Sequence, residues 1–155
     1  MTLCYLGLGS NLGAPLRQLN QALVLLNKLP KSIVLKKSNF YKSQPLGVRS
    51  QPPYLNMVIL IETSLPPHLL LTCCQRIETK QKRVRKKHWG ARTIDIDILL
   101  YGEHTVSYYD LTIPHPEMTR RDFVLKPLLE ITPLACLPDG NPLQSYLNHC
   151  DVYLT

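Results

Sequence analysis

One stretch constrains this chain more than any other: Thr93-Ile94-Asp95-Ile96-Asp97-Ile98-Leu99. Its strict alternation is that of a β-strand, with Ile94, Ile96 and Ile98 on one face and Thr93, Asp95 and Asp97 on the other. Two carboxylates at i and i+2 project from the same face about 7 Å apart along the strand. Unpaired, they repel each other. Paired, they suit a hard divalent cation, which takes carboxylate oxygens and shares its remaining positions with phosphates. Just upstream lie Arg83, Arg85, Lys86, Lys87, His88 and Arg92, a run of bases able to hold a polyphosphate. A carboxylate pair beside a basic loop is what Mg-dependent phosphoryl transfer requires. Two solvated acids with basic salt partners on an exposed strand form the plainer alternative.

The rest of the chain supplies a sheet for this strand. Residues 3–8 read as a buried strand ending at Gly9-Ser10-Asn11-Leu12-Gly13, a strand-to-helix turn with Ser10 or Asn11 near the helix start. The turn lacks the Lys-Ser/Thr of a P-loop. A helix over 14–28 carries Leu16, Leu19, Leu23 and Leu26 at the 3.6 period, with Pro15 in its first turn. A second strand spans 32–43, with Ile33 and Leu35 alternating. Residues 44–53 hold three prolines and one glycine and form a loop long enough for a lid or binding segment. The strand 54–63 is almost continuously apolar from Met57 to Ile61 and so belongs at the centre of the sheet. Pro66-Pro67 opens a helix reaching about residue 82, with Leu69, Leu70, Cys73 and Ile77 facing the core. After the strand 93–101 come a short strand pair near 106–111, a helix over 121–131 despite Pro127, and a short helix at 143–147. The order β-α-β-β-α-β with helices on one face is a ferredoxin-like α+β plan with extra C-terminal strands and helices.

At 155 residues the chain reads as a single domain over 1–155. A net charge of +7 points to an anionic partner, and its clustering at 83–92 favours a defined anion site over a diffuse basic surface. The cysteines, 4, 73, 74, 136 and 150, are odd in number and show no zinc spacing, so disulfides and zinc are not expected. No basic leader precedes the first apolar run and no stretch reaches the ~18 apolar residues of a membrane span, so a cytoplasmic protein without membrane contact is expected. An RNA-recognition sheet would need the aromatic signature Arg-Gly-Phe-x-Phe on its inner strands, and the chain lacks it. No nucleic-acid partner is expected.

The run His88-Trp89-Gly90-Ala91-Arg92-Thr93-Ile94-Asp95-Ile96-Asp97-Ile98-Leu99 resembles the signature of the 6-hydroxymethyl-7,8-dihydropterin pyrophosphokinases of folate biosynthesis. Three further blocks agree in order: Gly9–Gly13, then Pro45-Leu46-Gly47 with Gln51-Pro52-x-Tyr54-Leu55-Asn56, then Pro114-His115-Pro116 with Arg121-x-Phe123-Val124-Leu125. The resemblance implies transfer of pyrophosphate from ATP to the pterin hydroxymethyl group, with release of AMP, two Mg ions as cofactors and the family's ferredoxin-like fold; a chain of 17.7 kDa needs no partner to fold, so a monomer is expected. It implies that Asp95 and Asp97 bind the metal and, with Arg83 and Arg92, carry catalysis. Ser43, Gln44, Leu46, Tyr54, Asn56, Trp89 and Phe123 would hold the pterin. Asn56 would offer both a donor and an acceptor to the ring edge, and the aromatics would stack on its faces. Gln75, Glu78, Arg85, Trp89, Arg92, Ile98, Thr112, His115 and Arg121 would hold ATP. Two positions depart from the pattern. Residue 44 is Gln where many relatives have Pro, and Asp110 stands where some carry a base near the nucleotide. From the residues alone, Gln75 and Glu78 read as a solvated helix face. An inactive relative kept for partner binding is a further alternative, against which the intact Asp95/Asp97 pair argues. The stretch from Pro133 onward carries no recognisable chemistry.

Overall fold

The computed structural model describes residues 1–45, 52–81 and 94–155. Its elements are β1 (Thr2–Ser10), α1 (Pro15–Leu26), β2 (Ser32–Lys37), β3 (Tyr41–Ser43), β4 (Tyr54–Thr63), α2 (Pro67–Lys80), β5 (Asp95–Tyr101), β6 (Val106–Tyr108), β7 (Leu111–Ile113), α3 (Asp122–Ile131) and α4 (Gln144–Leu147). The main sheet runs β2-β4-β1-β5, with β3 also paired to β4, and every pairing is antiparallel. This is the ferredoxin-like order expected from the sequence. The apolar β4 does occupy the interior, paired on both sides.

The two faces of the sheet bury different sets of side chains. Alternate residues of the strands, Cys4, Leu6 and Leu8, Met57, Ile59 and Ile61, and Ile96 and Ile98, form one cluster with Leu19, Leu23 and Leu26 of α1 and Leu70, Cys74 and Ile77 of α2. On this face burial pushes both the Cys4 and Cys74 thiols up, Cys74 to about 12. The opposite face carries Val58, Leu60, Leu99 and Leu100, packed against Val124, Leu125, Leu128 and Leu129 of α3. Only part of this second face is covered by α3.

Several sequence expectations need correction. The strand expected over 32–43 is divided into β2 and β3. Ile33 and Leu35 are exposed while Val34, paired with Ile61, turns toward the core, and the register slips between Val34 and Lys36. In the helices, Leu16 and Leu69 are exposed, because each helix has only one side against the sheet. Ala22 and Cys74 complete the buried stripes. α1 has no side-chain cap. Asn11 is buried and reaches across the fold, donating from Nδ2 to the Pro52 carbonyl at 3.0 Å. Gly13, at φ +72°, makes the turn into α1 in a conformation that glycine adopts without penalty.

Candidate active site

The uncovered part of the second face is a cavity of about 270 Å³, lined by residues of β1, β3, β4, β5 and α3 and by His115. Its floor follows from the strand register. On β1, Gly7 pairs with Asp97 and Gly9 with Asp95, while the alternate residues Leu6 and Leu8 pair with Ile98 and Ile96. Wherever β5 presents a carboxylate to the cavity, β1 presents no side chain. From the sequence Gly9 reads as the start of the turn after the first strand and Gly7 carries no signal, although their i, i+2 spacing mirrors that of the two aspartates; both lie within β1. A methyl group at Gly9 would lie 3.3 Å from Asn56 Oδ1 and 3.6 Å from the Tyr54 ring, so the glycine keeps that corner open.

Past Ile98 the alternation fails. Leu6 pairs with Ile98 but Tyr5 with Leu100, so Leu99 is an extra residue, a β-bulge. Both Leu99 and Leu100 therefore turn toward α3. The carbonyl of Leu99 accepts the His115 N–H at 3.0 Å, which fixes His115 at the edge of the cavity with Asp95 and Asp97. The peptide bond preceding the neighbouring Pro114, Ile113–Pro114, is cis. His115 Nδ1 accepts the Glu117 N–H at 3.1 Å, so the remaining ring proton sits on Nε2. Burial lowers the pKa of this imidazole, as does Arg121, against the opposing pull of Asp97 and Glu117. His115 is thus a neutral ring presenting an N–H donor. It is fitted to grip an anionic oxygen and unfitted to remove a proton.

Another part of the lining is held by Asn56. Its Nδ2 donates to Ser43 Oγ at 2.7 Å and to the Tyr41 carbonyl at 3.0 Å. Both amide protons are spent, which corrects the expectation that Asn56 offers a donor and an acceptor: only Oδ1 remains for a ligand. Asn56 and Ser43 are both buried. Phe123 enters from the first turn of α3 and Tyr54 from the start of β4. The Arg121 guanidinium lies 5.6 Å from the centre of the Phe123 ring, in cation–π range. The N–H of Gln44 is bonded to the Tyr153 carbonyl at 2.8 Å, so any ligand contact there falls to its carbonyl or side chain.

The cavity thus gathers Ser43, Gln44, Tyr54, Asn56, Asp95, Asp97, His115, Arg121 and Phe123. Four expected nucleotide contacts lie outside its lining. The Ile98 side chain is buried in the helix-side core, which limits any contact to its backbone. Gln75 and Thr112 are exposed, Thr112 on the hairpin strand β7. Glu78 Oε2 accepts the Ile96 N–H at 2.8 Å, so this carboxylate braces β5 midway between Asp95 and Asp97. Asp110, the departure from the family pattern, is bonded to His68 Nε2 at 3.0 Å at the exposed start of α2. Leu46, Arg83, Arg85, Trp89 and Arg92 lie outside the described residues.

Among the described residues no cluster of three or more His, Cys, Asp or Glu side chains is placed to hold a metal ion. Two carboxylates at a cavity edge suit a hard cation that completes its shell with phosphate oxygens and water, rather than one caged by protein. Also among the described residues, no helix is long and apolar enough to cross a membrane.

A ferredoxin-like sheet with a carboxylate pair, a neutral imidazole donor and an arginine at one cavity describes an α+β enzyme that handles phosphate groups. The comparisons with known proteins make this specific. The chain matches the family model of 7,8-dihydro-6-hydroxymethylpterin-pyrophosphokinase (HPPK) over residues 5–133. It is 48% identical over 140 residues to the 2-amino-4-hydroxy-6-hydroxymethyldihydropteridine pyrophosphokinase of Haemophilus influenzae, covering 90% of this chain and 88% of that protein. The Pseudomonas aeruginosa protein of the same name is 43% identical over 146 residues, covering 94% and 90%. Among solved structures, the HPPK-DHPS of Plasmodium falciparum with pteroate superposes at a TM-score of 0.75 with 14% identity. The match covers 95% of this chain but 42% of that longer one, and at this identity it speaks for the fold alone. The chain belongs to the 7,8-dihydro-6-hydroxymethylpterin-pyrophosphokinase family.

Proposed function

We propose that this chain transfers the β,γ-diphosphate of ATP to the hydroxymethyl oxygen of 6-hydroxymethyl-7,8-dihydropterin, giving AMP and the pterin diphosphate, as a step of folate biosynthesis. Its family membership supports the reaction. The observation that carries the assignment of residues is the meeting of two unlike sets of side chains in the lining of one cavity: Asp95, Asp97, His115 and Arg121 form the first, charged and polar wall, and Asn56 with Tyr54 and Phe123 form the second.

The pterin belongs on the second wall. A pterin edge carries N–H donors, and Asn56 Oδ1, held by its two internal bonds, is a fixed acceptor for them. A fixed acceptor rejects a ring that turns a carbonyl toward it, because two acceptors would then meet unpaired. The rings of Phe123 and Tyr54 supply apolar faces for stacking. The triphosphate belongs on the first wall. Arg121 offers a planar fork of donors and His115 a single Nε2–H, both to phosphate oxygens. Asp95 and Asp97 would hold Mg ions, which when bound neutralise phosphate charge and align the phosphates for in-line attack. The hydroxymethyl oxygen bonds to the β-phosphorus, the bond from that phosphorus to the oxygen bridging it to the α-phosphorus breaks, and AMP leaves with that oxygen while the hydroxyl proton is released. Arg83, Arg85 and Arg92 are assigned to the same phosphates. Trp89 and Leu46 are assigned to the pterin, and Gln75, Glu78, Ile98 and Thr112 to the nucleoside, all by family resemblance. A single cytoplasmic domain acting as a monomer on small molecules completes the reading.

The test is product analysis with ATP and Mg, with and without the pterin. Pterin-dependent AMP that disappears in Asp95→Ala is the expected result. ADP in place of AMP would move the attack to the γ-phosphorus and end this reading.

A further inference from the structure

The segment Asp151 to Thr155 lines none of the cavity, yet it is bonded to both elements that carry the pterin wall. Toward β3, it accepts the Gln44 N–H at the Tyr153 carbonyl (2.8 Å), donates the Thr155 N–H to the Lys42 carbonyl (3.1 Å), and forms an antiparallel bridge between Leu154 and Ser43. Toward α3, the Asp122 carboxylate accepts the Tyr153 N–H at 3.0 and 3.2 Å and the Leu154 N–H at 3.1 Å. Asp151 makes a parallel bridge with Arg121. The Tyr153 ring meets Phe123 edge-on, with centroids 5.6 Å apart and planes at 79°.

These contacts fall on Ser43, Gln44, Arg121 and Phe123, or on their immediate neighbours Lys42 and Asp122. The packing of α3 on the sheet, through Leu125 and Leu128, is made elsewhere. Asp122 is only 5% exposed, and a buried carboxylate that accepts backbone N–H groups holds them firmly. Its place in the first turn of α3 adds the favourable field of the helix terminus. A stacking ring discriminates only if its plane is fixed, and Phe123, half-buried at the end of a helix, takes an edge contact from Tyr153.

We propose that residues 151–155, clamped by Asp122 and ending their reach in the Tyr153–Phe123 ring contact, are a positioning element for the pterin: they set the plane of Phe123 and the backbone of Ser43 and Gln44. The inference rests on the placing of the pterin on the Asn56–Phe123 wall.

The experiment measures kcat and the KM of each substrate for the native chain, Tyr153→Ala, Tyr153→Phe, Asp122→Asn and, as the reference for the wall itself, Asn56→Ala. Tyr153→Ala raises the pterin KM about 3- to 10-fold, the range for losing one aromatic pair, and leaves the ATP KM within about twofold. Tyr153→Phe keeps the ring and returns the native value, and Asp122→Asn shifts the pterin KM in the same direction as Tyr153→Ala. The inference is overturned if both KM values move together, or if Tyr153→Phe fails to restore. It is overturned alone if Asn56→Ala raises the pterin KM and Tyr153→Ala does not. If neither variant moves it, the pterin binds elsewhere, and the reading of the wall falls together with the inference.

Discussion

The same strands have two faces with different fates. Toward α1 and α2, the inward positions of β1, β4 and β5 are filled chiefly with Leu, Ile, Met and Cys, with Thr63 and Tyr101 buried at the strand ends, and the layer is closed. Toward α3, the same strands offer Gly7, Gly9, Asn56, Asp95 and Asp97, and the layer is left open where the helix stops covering it. The period of two in a strand lets neighbouring residues answer to unrelated demands, so the site is cut into the sheet without weakening the packing behind it.

Substitutions on the two faces should separate accordingly. The largest effect belongs to Asp97→Ala, whose turnover should fall about 10³-fold, the scale of losing one strong electrostatic partner of a transition state. Its melting temperature should stay near native, and a matching collapse in stability would show that the faces are not independent. Leu6→Ala, one residue from Gly7, should do the reverse. It removes a fully buried side chain and should cost about 3 kcal/mol in denaturant unfolding while leaving the KM values of the folded enzyme in place. On the same packed face, Cys4 and Cys74 should resist iodoacetamide at pH 8 until the protein unfolds, whereas exposed Cys136 reacts in the native state. Labelling of Cys74 in the native protein would mean that this layer opens. Gly9→Ala sharpens the contrast, because its methyl would press on an Asn56 that is already bonded twice and cannot yield. An increase of about tenfold in the pterin KM is expected in steady-state kinetics. The smallest effect belongs to Asp110→Ala. Its pairing with His68 is solvent-exposed, and its loss should cost under about 1 kcal/mol in a thermal melt.

The sequence made one face far more legible than the other. The Asp-Ile-Asp-Ile alternation was enough to place Asp95 and Asp97 on one side of β5 and the isoleucines on the other. The apolar run of β4 was enough to put it in the interior of the sheet. Both are short-range signals set by strand geometry. What depends on long-range pairing was illegible. Nothing in the sequence says that Gly7 stands opposite Asp97, that both Asn56 protons are spent on Ser43 and Tyr41, or that Glu78 braces Ile96. The register slips at Leu35 and Leu99 were also hidden, since a bulge is a property of two strands and alternation is read from one. The stretch beyond Pro133 looked chemically silent because its hydrogen bonds to Gln44, Lys42 and Asp122 are made by peptide groups, which every residue carries, and a lone Tyr153 forms no motif.

The bulge at Leu99 separates what the sheet needs from what the site needs. If Leu99 were removed, Leu6 would still stand opposite Ile98, Tyr5 opposite Leu100 and Cys4 opposite Tyr101, with each side chain on its present side. The ladder would have no gap. What would vanish is one peptide carbonyl, the anchor of His115, and the leucine beneath Gly7. For the architecture this residue is surplus, and for the cavity it is a joint, so shortening the strand by one position would leave a sheet of the same topology with its imidazole adrift.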